Sequence, residues 1–573
     1  MIGRRTLSIP ADFSSDAPKG LSSGTPKTLS SQAQRAISFS LALAFILTLA
    51  AFAQNGGELR FCLRTEPKTF DPLLVDDDAS LAVRYLTGGV LARVNRHTQE
   101  LEPELAESWK LSKDSKQITF KLRHGVQFSD GTPFSAEDVA FTVHRLMDPS
   151  VHSPVGDDFR TGSGEVSTKV IAPDQISITF PAPVVNLDRQ FEEVAMMSAH
   201  SPKKEAAVLG PFMVAEYKAG ASVRLERNPY YWKKDAQGRR LPYLDAIHMD
   251  IQPSRDVEML RFKRGELDLI NTLDTDYFDR LGANSPQVVH DAGPSLDSDF
   301  MWFNQVANAP IPEYKRAWFR SANFRRAVSQ AVNREDLARI VYGGHAQPGV
   351  GPVSPANKFW FNSSLKAEGY NPQGALDRLK AEGFHQQNGT LFDKSGNPVE
   401  FSIVTNAGSK PRERMSVLIQ EDLGKIGIKV NLVSLDFPSL LERISQKFNY
   451  ECAILGFRNV DLDPNFQMNI WLSSAEQHAW NPQQKSPETA WEAEIDKLMR
   501  EQASTSVLEK RKEAFDRVQQ IVYEQAPLIY LINQNALSAV SASVAGANPG
   551  ILYPQTFWNA ERLTINGTAT AKR

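Results

Sequence analysis

Polar and apolar residues alternate through Ile118-Thr119-Phe120-Lys121-Leu122, the period of a strand with one face buried. Glu58 to Leu63 predicts another short strand, followed by a turn through Glu66-Pro67. Val126-Gln127-Phe128, set between Gly125 and the Asp130-Gly131 turn pair, predicts a further strand. The pattern then turns helical. Ser135-Ala136-Glu137-Asp138 opens that helix: Ser135 can cap a free backbone N–H, and the two carboxylates meet the positive end of the helix dipole. Val139, Val143 and Leu146 fall on one face.

Two later stretches share a strand–helix–strand order. In the first, Ile247, Met249 and Ile251 alternate with polar residues, and Ser254 caps a helix carrying Val257, Leu260 and Arg264. Gly265 stops that helix, and Leu267 to Ile270 returns as a strand. In the second, Phe401 to Thr405 leads to a helix carrying Met415, Leu418, Ile419, Leu423 and Ile426; Gly427 ends it, and Ile428 to Val433 is again a strand. Such units build parallel sheet, and their distance along the chain assigns them to different lobes. The loop Asn406-Ala407-Gly408-Ser409-Lys410-Pro411 runs from a strand's carboxyl end into a helix start. Ligands of open α/β sheets gather at such places, where free backbone N–H groups face outward. A cleft between two α/β lobes follows.

Length supports the division, because 573 residues exceed what one hydrophobic core usually serves. Hydrophobic residues at 41% and charged residues at 23% describe an ordinary globular chain. The formal net charge of -3, with both signs interspersed, lacks the basic footprint of a nucleic-acid binder. From Ile37 to Ala51 the sequence is uncharged and apolar, preceded by Arg35 and closed by Ala51-Phe52-Ala53. That is the form of a secretory signal, residues 1–53, with cleavage expected after Ala53; an uncleaved anchor is the alternative. No other apolar run is long enough to span a bilayer. The two cysteines, Cys62 and Cys452, form no CxxC and no Cys/His cluster, so they are read as buried free thiols.

Several blocks then resemble one family. Gly56–Pro72 (GGELRFCLRTEPKTFDP) and Leu101–Thr142, with its DGTPFSAEDVAFT ending, come first. Gly210–Trp232, Pro242–Gln252, Phe324–Gly344, Leu423–Val430 and Ala526–Asn533 follow in order. Together they are similar to the extracellular solute-binding proteins of family 5, over essentially everything from Gly56 to Leu563. The resemblance implies a periplasmic-binding-protein-like α/β fold: two lobes, a two-strand hinge, and an extra subdomain in the N-terminal lobe. Lobe I would comprise 54–78, 200–303 and 534–567, the extra subdomain 79–199, and lobe II 304–533. The chain would cross near Met301-Trp302-Phe303-Asn304 and return near Tyr530-Leu531-Ile532-Asn533. The resemblance further implies a periplasmic monomer that closes on a peptide or similar small polar solute and hands it to the permease subunits of an ABC importer in the inner membrane, with no cofactor and no nucleic-acid partner. A ligand shifts such an open–closed equilibrium only through its differential affinity for the two states.

The same resemblance marks candidate contacts. Glu66 stands where peptide-binding relatives place an acidic pocket residue, although a solvated turn residue reads equally well. Gly456–Phe466 (GFRNVDLDPNF) resembles the loop that grips a peptide's terminal amine. Val460 occupies the position of the gripping aspartate, so either Asp461 serves or the ligand lacks that amine. Asn406, Lys410 and Arg412 lie where relatives place carboxylate-contacting groups, and arginine suits a bidentate carboxylate bond. Trp471, Trp480 and Tyr530 are candidate aromatic walls, with core packing as the alternative.

Motifs of catalysis are missing: no GxxxxGK[ST] loop, HExxH or GxSxG elbow occurs, and the ten histidines show no ligand spacing. A transport binding module is therefore expected. The alternatives are a periplasmic hydrolase using the same cleft, a binder of an oligosaccharide or chelated metal, or a holder of unfolded segments.

Overall fold

The computed structural model describes residues 56–159, 164–203, 206–457, 462–505 and 507–566, so the predicted signal segment lies outside the described residues. Three sheets organise the chain. In the first, Glu58–Leu63 runs parallel to Ala246–Ile251, followed by Ser222–Arg227 and Phe212–Lys218 antiparallel. Alternation buries Leu59, Phe61 and Leu63 against Val223, Leu225, Ile247 and Met249. The helix Asp78–Thr87 covers this core with Ala79, Ala82, Val83 and Leu86. Asp77 caps it, accepting from the backbone N–H groups of Ala79 and Ser80 at 3.1 and 2.9 Å. Arg84 and Tyr85 are left on the other side of the same helix.

The second sheet is antiparallel, in the order Ala106–Leu111, Gln117–Leu122, Gln175–Thr179, Ser167–Ala172. The helix Ala136–Met147 packs on it through Val139, Val143 and Leu146. Ser135 caps that helix as expected, and the Asp138 carboxylate reciprocates by accepting from the Ser135 N–H at 2.8 Å. Residues 126–128 do not form the predicted strand. The turn at Asp130-Gly131 folds them back at once, so the Phe128 N–H donates to Thr132 and Phe134 donates to Val126, with a single bridge at Gln127 and Pro133.

The third sheet has eight strands. Glu400–Asn406 pairs in parallel with Lys429–Leu435, as the second strand–helix–strand unit predicts, with Lys410–Lys425 between them. Gly427 ends the crossover at φ +82, and a Cβ there would meet the backbone of Gly389 and Leu391 at 2.9 and 2.8 Å. Only glycine fits. Ser298–Phe303 and the long strand Ile529–Val540 are antiparallel neighbours, with Phe300 opposite Tyr530 and Met301 opposite Ile529. The first strand–helix–strand unit departs from its prediction. Leu269–Ile270 pairs antiparallel with Ile529–Val540 rather than joining Ala246–Ile251. Its helix, Arg255–Lys263, buries Met259 and Phe262 while Val257 and Leu260 are exposed. The segment packs against Leu537 and Ala539 from the far end of the chain, and that contact sets which face turns inward. Cys62 and Cys452, in the first and third sheets, are both free thiols; Cys452 is buried and Cys62 half-buried.

Candidate functional site

A cavity of about 240 Å³ lies where the first two sheets meet the third. One wall comes from the helix Asp78–Thr87, with Leu81, Arg84 and Tyr85, and from the short strand Ala92–Val94, with Arg93 and Val94. Arg189, Gln190, Glu192 and Glu193 form a second wall. Residues 295–297, just before the strand Ser298–Phe303, and Leu462-Asp463 contribute the opposite side; residues 551–553 and Gln555 complete it.

Two of the four arginines in this cavity are ion-paired, a third bonds a backbone carbonyl, and Arg93 has neither among the described residues. Arg84 binds the Glu193 carboxylate, and Arg96 binds Glu192 at 2.7 Å. Arg189 donates to the Gln99 carbonyl oxygen at 2.8 Å. Arg93 has no carboxylate within ion-pair distance among the described residues. Its guanidinium lies 4.5 Å from the centroid of the Tyr85 ring, and its Nε has no hydrogen-bond partner. Burial works against the charge on Arg93, but Tyr85 and the more distant Glu104 and Glu561 raise its pKa above the ordinary arginine value. It stays a cation. Gln190 and Gln555, also in the wall, each carry a buried Oε1 without a partner. An unmade hydrogen bond at a buried polar atom costs about 1–3 kcal/mol.

Two clasps close the cleft. Asn186, just beyond the second sheet, donates to the Asp463 carboxylate and accepts from Arg511 at 2.8 Å. Gln99 donates to the Ala356 carbonyl at 2.7 Å and accepts from the Lys358 N–H at 3.2 Å, while Lys358 Nζ donates to the His97 carbonyl at 3.0 Å. Asn357 ties this segment to the cavity by donating to the Leu462 carbonyl at 2.7 Å.

Of the stretches singled out in the sequence, the Gly456–Phe466 loop reaches this cavity through Leu462 and Asp463, whereas Glu66, Asn406, Lys410, Arg412, Trp471, Trp480 and Tyr530 do not line it. Glu66 is exposed, accepting from the Tyr217 hydroxyl and from the Gly220 N–H at 2.7 Å; those bonds, the tyrosine's first, lower its pKa. Arg412 does not face an open pocket. Its Nε donates at 3.1 Å to Asp299, which is fully buried, and its Nη1 donates to Asn406 Oδ1 at 2.8 Å. Trp480 is fully buried, its indole N–H donating to Glu492 at 3.1 Å, so it packs in the core rather than forming a wall. Trp471 packs beside it. Tyr530 is buried against Phe300, in the second hinge strand. Asp461 and Val460 lie outside the described residues. The sequence reading missed Arg84, Tyr85, Arg93 and Arg96. A signal was there: three arginines and a tyrosine in the thirteen residues of RYLTGGVLARVNR, a stretch with no acidic residue. No group of three or more His, Cys, Asp or Glu able to hold a metal ion occurs among the described residues.

Two α/β lobes joined by antiparallel strands, with a cavity between them, define a clamshell binding protein. Residues 100–479 match the bacterial extracellular solute-binding proteins, family 5, and the chain belongs to that family. A probable ABC transporter-binding protein of Deinococcus radiodurans is 27% identical over 445 residues, covering 71% of this chain and 73% of its own. The oligopeptide-binding protein AppA of Bacillus subtilis is 25% identical over 518 residues, 86% of this chain and 89% of its own. The solved structure of NikA from Brucella suis, in complex with Fe(III)-EDTA, superposes with a TM-score of 0.74 at 20% identity, covering 89% of this chain and 100% of its own. These relatives are binding proteins. No helix among the described residues is long and apolar enough to cross a membrane.

Proposed function

We propose that this chain is the solute-capturing component of an ABC importer, closing its lobes around a peptide or similar small polar solute and presenting it to a membrane permease. The observation that carries the reading is the cavity itself: it is walled by both lobes and held shut by the Asn186 and Gln99 clasps. A ligand seated there touches both halves and so favours the closed state over the open one. At about 240 Å³ it falls below the ~300–1,000 Å³ of pockets for drug-sized molecules, which fits a short peptide or a compact chelate. The oligopeptide-binding relative supports the first and the Fe(III)-EDTA complex of NikA the second. Capture without chemistry is supported by the lining, which among the described residues contains no histidine, cysteine or lysine and whose Glu192, Glu193 and Asp463 are held by arginines. Export through the 1–53 signal, with action in the periplasm as a monomer, completes the proposal.

Native mass spectrometry of protein purified without denaturant tests it. One equivalent of a small solute should accompany the chain, leave on denaturation, and on return raise the melting temperature by mass action. A solute converted to product during incubation would refute capture without chemistry.

A further inference from the structure

Family members receive a carboxylate, where they do so, in the region of Asn406 and Arg412 by the sequence resemblance. Here those groups are engaged. Arg412 spends its Nε on buried Asp299 and its Nη1 on Asn406, and Asp299 also accepts from the Tyr342 hydroxyl at 2.9 Å and from Gln534 at 2.7 Å. Withdrawing Arg412 toward a solute would leave a carboxylate buried without its cation, which costs several kcal/mol. The cavity offers a different cation. Arg93 lines it, has no acid partner among the described residues, and rests on the face of Tyr85. A guanidinium over a ring face, its Nε unpartnered, has N–H groups to offer a planar, two-oxygen acceptor.

The surroundings favour one kind of occupant. The carboxylates that act on Arg93, Glu104 and Glu561, are both held by Lys233, at 2.6 and 3.7 Å, and Glu192 and Glu193 in the wall are bound to Arg96 and Arg84. Gln190 and Gln555 each hold an unsatisfied amide oxygen in the same wall, ready to accept N–H groups from a solute once it seats. A carboxylate beside amide or amine N–H groups is the chemistry of a peptide's C-terminal end.

We propose that this cavity selects its solute by a carboxylate, which Arg93 receives against the face of Tyr85. The inference rests on the capture reading above and adds the ligand class and the residue that reads it.

Calorimetry with a defined probe set tests it: di- and tripeptides of Ala, Glu, Lys and Phe, each as free acid and as C-terminal amide, with succinate alongside. On the native chain, at least one acid should bind, and its fully amidated form should bind about 30-fold weaker or more, the usual loss when one partner of a buried charge pair is removed. Arg93→Gln should weaken the acid by a similar factor and bind acid and amide alike. Arg93→Lys, which keeps the charge but not the fork, should retain part of the preference. Equal binding of acid and amide by the native chain overturns the inference without any variant, as does an Arg93→Gln protein that still prefers the acid. If no carboxylate probe binds while a neutral or cationic solute is recovered from the native protein, the inference fails and the capture reading stands. If nothing saturable is recovered or bound, both fail.

Discussion

Arg511 grips Asp463 with two hydrogen bonds, of 2.6 and 3.0 Å, and both side chains are almost completely buried. The pair belongs to the lobe of the eight-stranded sheet, where Gln502 and Asn465 bond it further, and Asn186 adds a donor and an acceptor from the other lobe. A buried ion pair that gains two further hydrogen bonds when the lobes touch favours the closed form. Replacing Asn186 with alanine should leave the fold intact and cost the closed state about 1 kcal/mol, the net worth of an ordinary hydrogen bond. Small-angle scattering of the solute-free variant should show a larger radius of gyration than the parent, and solute affinity should fall roughly fivefold.

Asp299 and Arg412 give the opposite kind of prediction, one of stability. Asp299→Ala strands the Arg412 guanidinium and removes the acceptor used by Tyr342 and Gln534. Urea unfolding should show a loss of about 3–5 kcal/mol, the range for breaking one side of a buried pair. Melting curves for Arg412→Ala should be lowered comparably. A stable Arg412→Ala protein would release this arginine for a role in ligand contact.

Acid should loosen the lobe of the eight-stranded sheet. Burial by itself would raise the pKa of Glu492, but hydrogen bonds from His478, Gln484, Thr489 and Trp480 bring it from 4.5 down to about 2. A folded pKa below the unfolded one contributes stability that is complete above the unfolded value and disappears as pH falls toward the folded value. The contribution amounts to roughly 3 kcal/mol. Unfolding free energies measured from about pH 6 to about pH 2 should decline more steeply in the parent than in Glu492→Gln; parallel curves would remove Glu492 as the cause.

Both thiols should be slow. Burial first of all, with Glu258 nearby, pushes Cys62 up to about 12, and burial raises Cys452 well above the ordinary thiol value. A thiol is nucleophilic only as thiolate. Native protein at mildly alkaline pH should therefore react sluggishly with a disulfide reagent, while denatured protein should yield two free thiols at once. Recovery of none would show a bond between two strands that sit in different sheets.

What could be read from residues alone was local. The unit from Phe401 to Val433 keeps its strands, its helix and its glycine stop, because each signal lies within a few residues of its effect. The unit from Ile247 to Ile270 kept its cap and its stop but not its sheet. Its last strand pairs with Ala539 and Val540, a partner no local pattern reveals. The choice of inward face followed, with Met259 and Phe262 winning over Val257 and Leu260. The site suffered more. Arg93 sits in a three-residue strand between buried Ala92 and Val94, which alone reads as a solvated position. Tyr85, Arg189 and residues 551–555 enclose it, and they come together only in the folded chain. Trp480 misled for a related reason: its polar edge suggested a wet wall, whereas Glu492 satisfies it deep in the core.

Hydrogen exchange read by mass spectrometry, with protein stripped of solute and then reloaded, addresses the location of capture most directly. Protection on loading is expected in 78–96, 186–193, 295–297, 462–463 and 551–555, the stretches that wall the cavity and its Asn186 clasp. Protection centred instead on 400–412, with these stretches unchanged, would contradict a solute held between the lobes at Arg93.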